Sequence, residues 1–144
     1  MILPKTVVSS SVEMTEELGA ELGRELLSRG EGFVAMYGDL GAGKTAFVRG
    51  VASVIAPDSH VCSPTYNIVN EYHGKNALLC HFDMYRIESD DDLYSVGFYD
   101  YDNCIIIAEW CEKTPFALPD EYIRVEITKL SEDERSIAVT EVRI

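Results

Sequence analysis

Hydrophobic and polar positions alternate along this chain with periods that change from segment to segment. In SVEMTEELGAELGRELLSRG (11–30), Met14, Leu18, Leu22 and Leu26 recur every four residues, the spacing of one helical face. Ser10 and Glu13 form a capping-box pattern at its start, and Gly30 is placed to end it. The period is then lost. FVAMY (33–37) is short and wholly apolar, as expected of a strand buried on both faces. Helical spacing returns in TAFVRGVASVI (45–55), which Pro57 and Asp58 break. YNIVNEY (66–72) and NALLCHFD (76–83) read as strands around HGK, and DDLYSVGF (91–98) as helical. CIIIAE (104–109) is apolar until its last residue and predicts a second central strand. YIRVEIT (122–128) and RSIAVTEV (135–142) alternate and predict an antiparallel pair near an edge. Strands interleaved with helices, two of them buried on both faces, imply an α/β fold of three layers with a mixed sheet.

The chain's 144 residues suit a single domain, 1–144, and its 47% apolar content suits one core. The apolar runs are too short to span a membrane, and the N-terminus lacks the pattern of a secretory signal. Cytoplasmic residence is therefore expected. Cys62, Cys80, Cys104 and Cys111 show no zinc or redox spacing; Cys80 and Cys104 sit in apolar stretches and read as core residues. A net charge of −13 opposes direct binding to a polyanion such as RNA. The acidic run Glu88 to Asp92 fits the start of a helix, where carboxylates meet the positive end of the dipole.

Between the first apolar strand and the second helix lies GDLGAGKT, with Gly38, Gly43, Lys44 and Thr45 at the spacing of a phosphate-binding loop. Its glycines allow positive φ, so that backbone N–H groups turn inward to form an anion nest, and the following helix adds its dipole. Lys44 carries a charge to the outer phosphates, and the Thr45 hydroxyl is placed to ligate Mg²⁺. Gly41, Ala42, Gly43, Lys44, Thr45 and Ala46 are the candidate nucleotide-binding residues. Ala42 and Ala46 are expected mainly to pack, with backbone N–H groups near phosphate.

Asp83 and Glu109 each close a buried-strand pattern. In an open α/β sheet such acids lie at the carboxyl ends of the strands, where ligands bind. With Lys44 they form the candidate catalytic set; Thr45, Asp83 and Glu109 form the candidate metal set. The spacing leaves open which acid meets the metal and which handles water, and either could instead cap a turn. Arg86 stands where a GTPase usually has glycine after its aspartate, and no Asn-Lys-x-Asp motif occurs, so ATP/ADP is expected over guanine nucleotides. Thr65, in CSPTYN, is either a switch-like residue or part of a plain turn. Trp110 is either core or flanks the nucleotide or a partner surface. Arg49 and Arg86 are commoner as paired surface charges, and His60, His73 and His81 show no metal spacing.

TEELG, GDLGAGKT, SPTYNIVNEY, HFDMYRI and AEWCEK occur in order, with a spacing that resembles the bacterial TsaE (YjeE) family over roughly residues 10 to 135. The resemblance implies a P-loop NTPase-like domain with a mixed, mostly parallel sheet. It implies a Mg²⁺-dependent ATPase that works with TsaB and TsaD in forming N6-threonylcarbamoyladenosine in tRNAs reading codons that start with adenine. Contact with tRNA would be indirect, through the complex. Carried onto this sequence, Lys44 contacts phosphate, Thr45 ligates Mg²⁺, Asp83 is a Walker-B-type acid and Glu109 a second metal-site acid. Thr65 lies in the switch-like segment, Trp110 beside nucleotide or partner, and Thr15 near the nucleotide. Ala46 replaces a hydroxyl residue found in many relatives, and Cys111 stands where proline or alanine is common. Two other readings compete: a small-molecule P-loop kinase, for which the scattered arginines offer no evident lid, and a nucleotide-dependent scaffold that needs no hydrolysis.

Overall fold

The computed structural model describes residues 1–39 and 43–144. Ten elements follow along the chain: β1 (Lys5–Ser9), α1 (Val12–Arg29), β2 (Gly32–Tyr37), α2 (Lys44–Ile55), β3 (Val69–His73), β4 (Leu78–Asp83), α3 (Asp90–Ser95), β5 (Ile105–Glu109), β6 (Glu121–Lys129) and β7 (Arg135–Arg143). Single 3₁₀ turns at 98–100, 111–113 and 115–117 complete the described regular structure.

The strands form one sheet in the order β1-β7-β6-β2-β5-β4-β3. β6, β2, β5 and β4 pair in parallel at its centre, while β3, β7 and β1 join through antiparallel pairings. Five of the seven strands thus run one way, which is the mixed, mostly parallel sheet expected of a P-loop NTPase-like fold. Side-chain alternation divides the central strands between two cores. Val34 and Met36 of β2 pack under α1 and α2 with Leu22, Leu26 and Phe47. Phe33 and Ala35 face the other way, against Phe82, Leu93 and Phe98 beneath α3 and the 3₁₀ turns. Three layers result, the second helical layer being thin. Removing a side chain such as Leu22 or Phe47 from water contributes about 1.5–3 kcal/mol.

Helix α1 departs from the expected pattern in detail. Ser11, not Ser10, is the N-cap, with extended φ, and its hydroxyl accepts the Met14 N–H at 3.1 Å. Met14 is exposed, because the buried stripe runs through Thr15, Leu18, Gly19, Leu22, Gly23 and Leu26. The glycines in that stripe let α1 and α2 approach at backbone distance: a Cβ on Gly50 would collide with the Glu16 carbonyl, and one on Gly19 with that of Phe47. Gly30 ends the helix at φ 83°, as expected.

Strand β3 begins at Val69, three residues later than the pattern suggests. Asn67 and Ile68 both donate backbone N–H groups to the Pro64 carbonyl, closing a turn. Ile68 adopts φ 69°, a rare conformation for a β-branched residue. β6 and β7 do pair antiparallel, but the outermost strand beyond them is β1, which the short segment KTVVS did not announce. Ser89 caps α3, and Asp90, Asp91 and Asp92 occupy its first turn, as the acidic run suggested. Among the described residues, no helix is long and apolar enough to cross a membrane.

Candidate functional site

The carboxyl ends of β2, β5 and β4 converge on one edge of the sheet. Register pairs Met36 with Glu109, and Asp83 with Glu109, across neighbouring parallel strands. The two acids singled out in the sequence are therefore direct neighbours, and β2 ends at Tyr37 beside them. Of the candidate nucleotide-binding residues, Gly41 and Ala42 lie outside the described residues. Gly43 is the N-cap of α2 at φ 102°, with no side-chain cap, so the first N–H groups of α2 are not taken by a capping side chain. Thr45 and Ala46 follow in its first turn, each partly exposed.

Lys44 turns inward. Its side chain is 6% exposed, and its ammonium Nζ lies 3.7 Å from Glu109 Oε1 and 4.4 Å from the centroid of the Trp110 ring. Neither is a hydrogen bond, and among the described residues Nζ has no hydrogen-bond partner. A buried ammonium in this state is costly unless an anion completes its shell. That orphaned donor, beside a left-handed glycine at a helix start, fits a phosphate group. The oxygen donors nearby, the Asp83 and Glu109 carboxylates and the Thr45 hydroxyl, are of the kind that would hold Mg²⁺ carried on phosphate, since such an ion is held by few protein oxygens. Among the described residues no three His, Cys, Asp or Glu side chains converge as a metal cage on their own.

Asp83 is buried, and its Oδ1 accepts the Tyr85 N–H at 2.9 Å, so one oxygen holds a turn and leaves the other for further work. The Asp83 N–H in turn donates to the Ile68 carbonyl at 2.8 Å. The unusual φ at Ile68 thus ties the 64–68 turn to the acid. The Met84 N–H donates to the Glu109 carbonyl at 2.9 Å, joining the two strand ends just beyond the acids. Trp110 is half-buried at φ 61° and meets Tyr85 edge-on, with ring centroids 5.2 Å apart. It packs on the edge of the second core, between that core and the Lys44 ammonium. Lys113 lies over the far side of this aromatic pair, 4.0 Å from the Tyr85 ring.

Thr65 is exposed on the 64–68 turn, and its hydroxyl shares a hydrogen bond of 2.6 Å with Ser63. Just before it, the Cys62 backbone is fixed at both ends: the Tyr72 hydroxyl donates to its carbonyl at 3.1 Å and accepts its N–H at 3.3 Å. Asn70 adds a second bond to that carbonyl. The segment bearing Thr65 is therefore anchored at Cys62 and at Ile68, with Thr65 and Tyr66 exposed between. Thr15 is buried, and its hydroxyl pairs with Ser9 at 2.8 Å while its methyl group faces Gly43. A cavity of about 260 Å³ opens there, lined by Ser11, Thr15, Gly43 and Ala46 and closed by Glu132 and Arg135 of the β6–β7 hairpin.

One residue without an assigned role in the sequence belongs here. His81 is wholly buried on β4, and its Nε2 bonds to Glu109 Oε2. Alternation carries the signal, since His81 and Asp83 lie two apart on one strand and so share a face. Arg49 pairs with Glu16 at the surface, 3.3 Å away, and Arg86 lies over the exposed Tyr66 ring. Cys111 is buried behind the site and donates to the Ala108 carbonyl.

Comparison with known proteins agrees with this arrangement. The sequence model described as "Threonylcarbamoyl adenosine biosynthesis protein TsaE" matches residues 9–137. A tRNA threonylcarbamoyladenosine biosynthesis protein TsaE from Treponema pallidum is 34% identical over 134 residues, covering 92% of this chain and 97% of the relative. Its counterpart from Haemophilus influenzae is 42% identical over 96 residues, covering 65% of this chain and 61% of the relative. The crystal structure of Bacillus subtilis YdiB superposes with a TM-score of 0.78 at 26% identity, over 99% of this chain and 88% of that one. With the match running from β1 into β7 and the solved relative sharing the whole fold, the chain belongs to the TsaE family of threonylcarbamoyl adenosine biosynthesis proteins.

Proposed function

We propose that this chain binds ATP with Mg²⁺ and hydrolyses it as a subunit acting with TsaB and TsaD in the formation of N6-threonylcarbamoyladenosine in tRNA. The observation that carries the reading is the Lys44 ammonium, buried beside Glu109 without a hydrogen-bond partner among the described residues. It stands on the first turn of the helix after a strand and a glycine loop, where phosphate binds.

Each residue then has a distinct task. The N–H groups from Gly43 to Ala46, with Gly41 and Ala42 from the loop sequence, cradle the phosphates. Lys44 leaves Glu109 and Trp110 for the outer phosphate oxygens. The Thr45 hydroxyl, the free oxygen of Asp83 and Glu109 hold Mg²⁺, directly or through water. That ion supplies neutralisation of the phosphate charge. A carboxylate of the pair orients water for attack on the γ-phosphorus. The new P–O bond forms as the bond to the bridging oxygen breaks, releasing ADP and phosphate. The nucleoside is assigned to the cavity lined by Thr15 and Gly43, beside the start of α2.

Among the described residues no arginine stands with the groups that converge at Lys44, Asp83 and Glu109. Hydrolysis by the isolated chain should therefore be slow, and a partner that supplies such a charge can accelerate it by roughly 10³-fold or more. Partner contact is assigned to the exposed Thr65 turn and the half-buried Trp110, which lie beside the phosphate side of the site. A net charge of −13 keeps tRNA contact indirect.

The test is direct. Calorimetry should show heat on titrating ATP or ADP with Mg²⁺ into the folded protein, and none would remove the reading. Phosphate release should rise when TsaB and TsaD are added. If Glu109→Ala abolished hydrolysis while tRNA modification continued at the normal rate, the chain would be a scaffold and not a working ATPase.

A further inference from the structure

The geometry points to His81 as a positioning residue that holds Glu109 so that one chosen carboxylate oxygen faces the phosphate side of the site. This deepens the reading of Glu109 as a metal-site acid and rests on it.

The two oxygens of Glu109 have different surroundings. Oε2 is bound by His81 Nε2, and Oε1 lies 3.7 Å from Lys44 Nζ. One oxygen is committed to the sheet interior and the other is turned to the charged group at the start of α2. The His81 ring is fully buried on β4, in the strand neighbouring Glu109. Among the described residues its Nδ1 has no partner. The tautomer with hydrogen on Nε2 follows, because it donates to the carboxylate and leaves only a bare lone pair at Nδ1. The reverse tautomer would bury an unpaired N–H and set two acceptors against each other. Tyr72 stands beside the imidazole, ring centroids 6.2 Å apart, and is itself fixed through its hydroxyl to the Cys62 backbone. The imidazole is therefore walled in, and through it the Glu109 carboxylate loses rotational freedom. A group that orients a ligating carboxylate commonly changes metal affinity by about 10–100-fold when removed.

The experiment titrates Mn²⁺ into the full chain saturated with ADP and reads free Mn²⁺ by electron paramagnetic resonance. Wild type is compared with Glu109→Gln, His81→Leu, His81→Gln and His81→Asn. ADP affinity without metal, read by Trp110 fluorescence in chelator, serves as the control. His81→Leu should weaken Mn²⁺ binding at least about 10-fold, with metal-free ADP affinity unchanged. The glutamine side-chain amide reaches the place of Nε2, so His81→Gln should stay within about threefold of wild type. The shorter asparagine amide reaches only the place of Nδ1, and His81→Asn should behave like leucine. If the leucine variant does not fold, the glutamine and asparagine pair decides. Equal Mn²⁺ affinity in that pair, whether at the wild-type level or weakened, overturns the proposal, as does a His81→Leu protein that binds Mn²⁺ like wild type. Failure of the underlying reading looks different: Glu109→Gln itself would then bind Mn²⁺ as tightly as wild type.

Discussion

Lys44 and Glu109 face each other at 3.7 Å with side chains 6% and 7% exposed, a pair of opposite charges shut away from water but too far apart for a hydrogen bond. Such a pair adds little stability, since desolvation opposes the attraction. Its value is readiness. The ammonium is held where a phosphate would arrive, and the ring of Trp110 covers it at 4.4 Å. Trp110 is the only tryptophan in the chain, so tryptophan fluorescence reports on the surroundings of this one ring, Lys44 and Tyr85 among them. Adding ADP should change the emission as the ammonium leaves the ring. Lys44→Ala should abolish that response. An unchanged spectrum in a protein shown calorimetrically to bind ADP would mean that Lys44 does not move.

Asp83 separates two roles that a single substitution usually confuses. Its Oδ1 holds the Tyr85 N–H, and an asparagine can keep that bond through its amide oxygen. Asp83→Asn should therefore fold with near-native stability and yet lose hydrolysis by roughly 10²-fold, the scale of losing one well-placed polar group at a reacting centre. Asp83→Ala should lose activity and also about 1 kcal/mol of stability, since the part-buried bond to the Tyr85 N–H is lost. Thermal melts of the two variants, run beside phosphate-release assays, check both halves. Equal melting temperatures would show that the turn does not depend on the carboxylate.

The central architecture could be read from the sequence because its signals are local. FVAMY and CIIIAE announce strands buried on both faces, and acids at strand ends need only a parallel register to become neighbours, as Asp83 and Glu109 do. β1 was not legible: five residues at an edge carry too short a pattern, and its place beside β7 is a long-range choice. The role of His81 was hidden for a related reason. A lone histidine in an apolar strand looks like core until the facing strand brings a carboxylate to it. The Ser10 cap failed by one residue, since Ser9, Ser10 and Ser11 offer the same hydroxyl and only backbone angles choose among them. The expected partners rest on family resemblance alone, since no pattern of burial or charge encodes them.

Gly50 shows what the helix layer contributes to the site. α2 carries Lys44 and Thr45, and it is set against α1 so closely that a methyl group on Gly50 would strike the Glu16 carbonyl. A backbone atom cannot swing aside as a side chain would. Gly50→Ala should therefore destabilise the protein by about 1–3 kcal/mol, although alanine is the better helix former. The helix displaced from α1 should also weaken ADP binding. Gly30→Ala is a useful comparison, because open space surrounds that position and only its φ of 83° is at issue. Denaturant melts that rank Gly50→Ala as the milder change would show that the helices separate easily.

Tyr72 makes a prediction about the segment between Cys62 and Ile68. Its hydroxyl satisfies the N–H and the carbonyl of Cys62, and so fixes one end of the turn that presents Thr65. Tyr72→Phe keeps the ring in place beside His81 and removes those bonds together with the long one that the hydroxyl accepts from the Asn70 amide. The global cost should be near 1 kcal/mol, the usual net worth of a hydrogen bond. The local effect should be larger: amide hydrogens from 62 to 68 should exchange faster, while those of β4 and β5 stay protected. Faster exchange spread evenly over the sheet would instead mark Tyr72 as a general core residue.

Thiol chemistry tests the burial of the site from a different direction. The four cysteines are free, with Cys62 exposed and Cys80, Cys104 and Cys111 buried. Thiolate is the reactive form. Burial, with Glu112 nearby, pushes the Cys111 thiol up to about 12. Burial also raises Cys80 and Cys104, which lie close enough to affect each other. At pH 8 these three are therefore almost wholly protonated as well as covered. A disulfide reagent added to the native protein should label one thiol quickly, and Cys62→Ser should remove that phase. The other three should react only as fast as the structure opens, and together at once in denaturant. Raising the pH from 8 to 9 should leave that slow phase dominated by opening. A second fast thiol in the native protein that Cys111→Ser removed would place Cys111 at a surface, and the floor of the site beneath Glu109 and Trp110 would then be open to water.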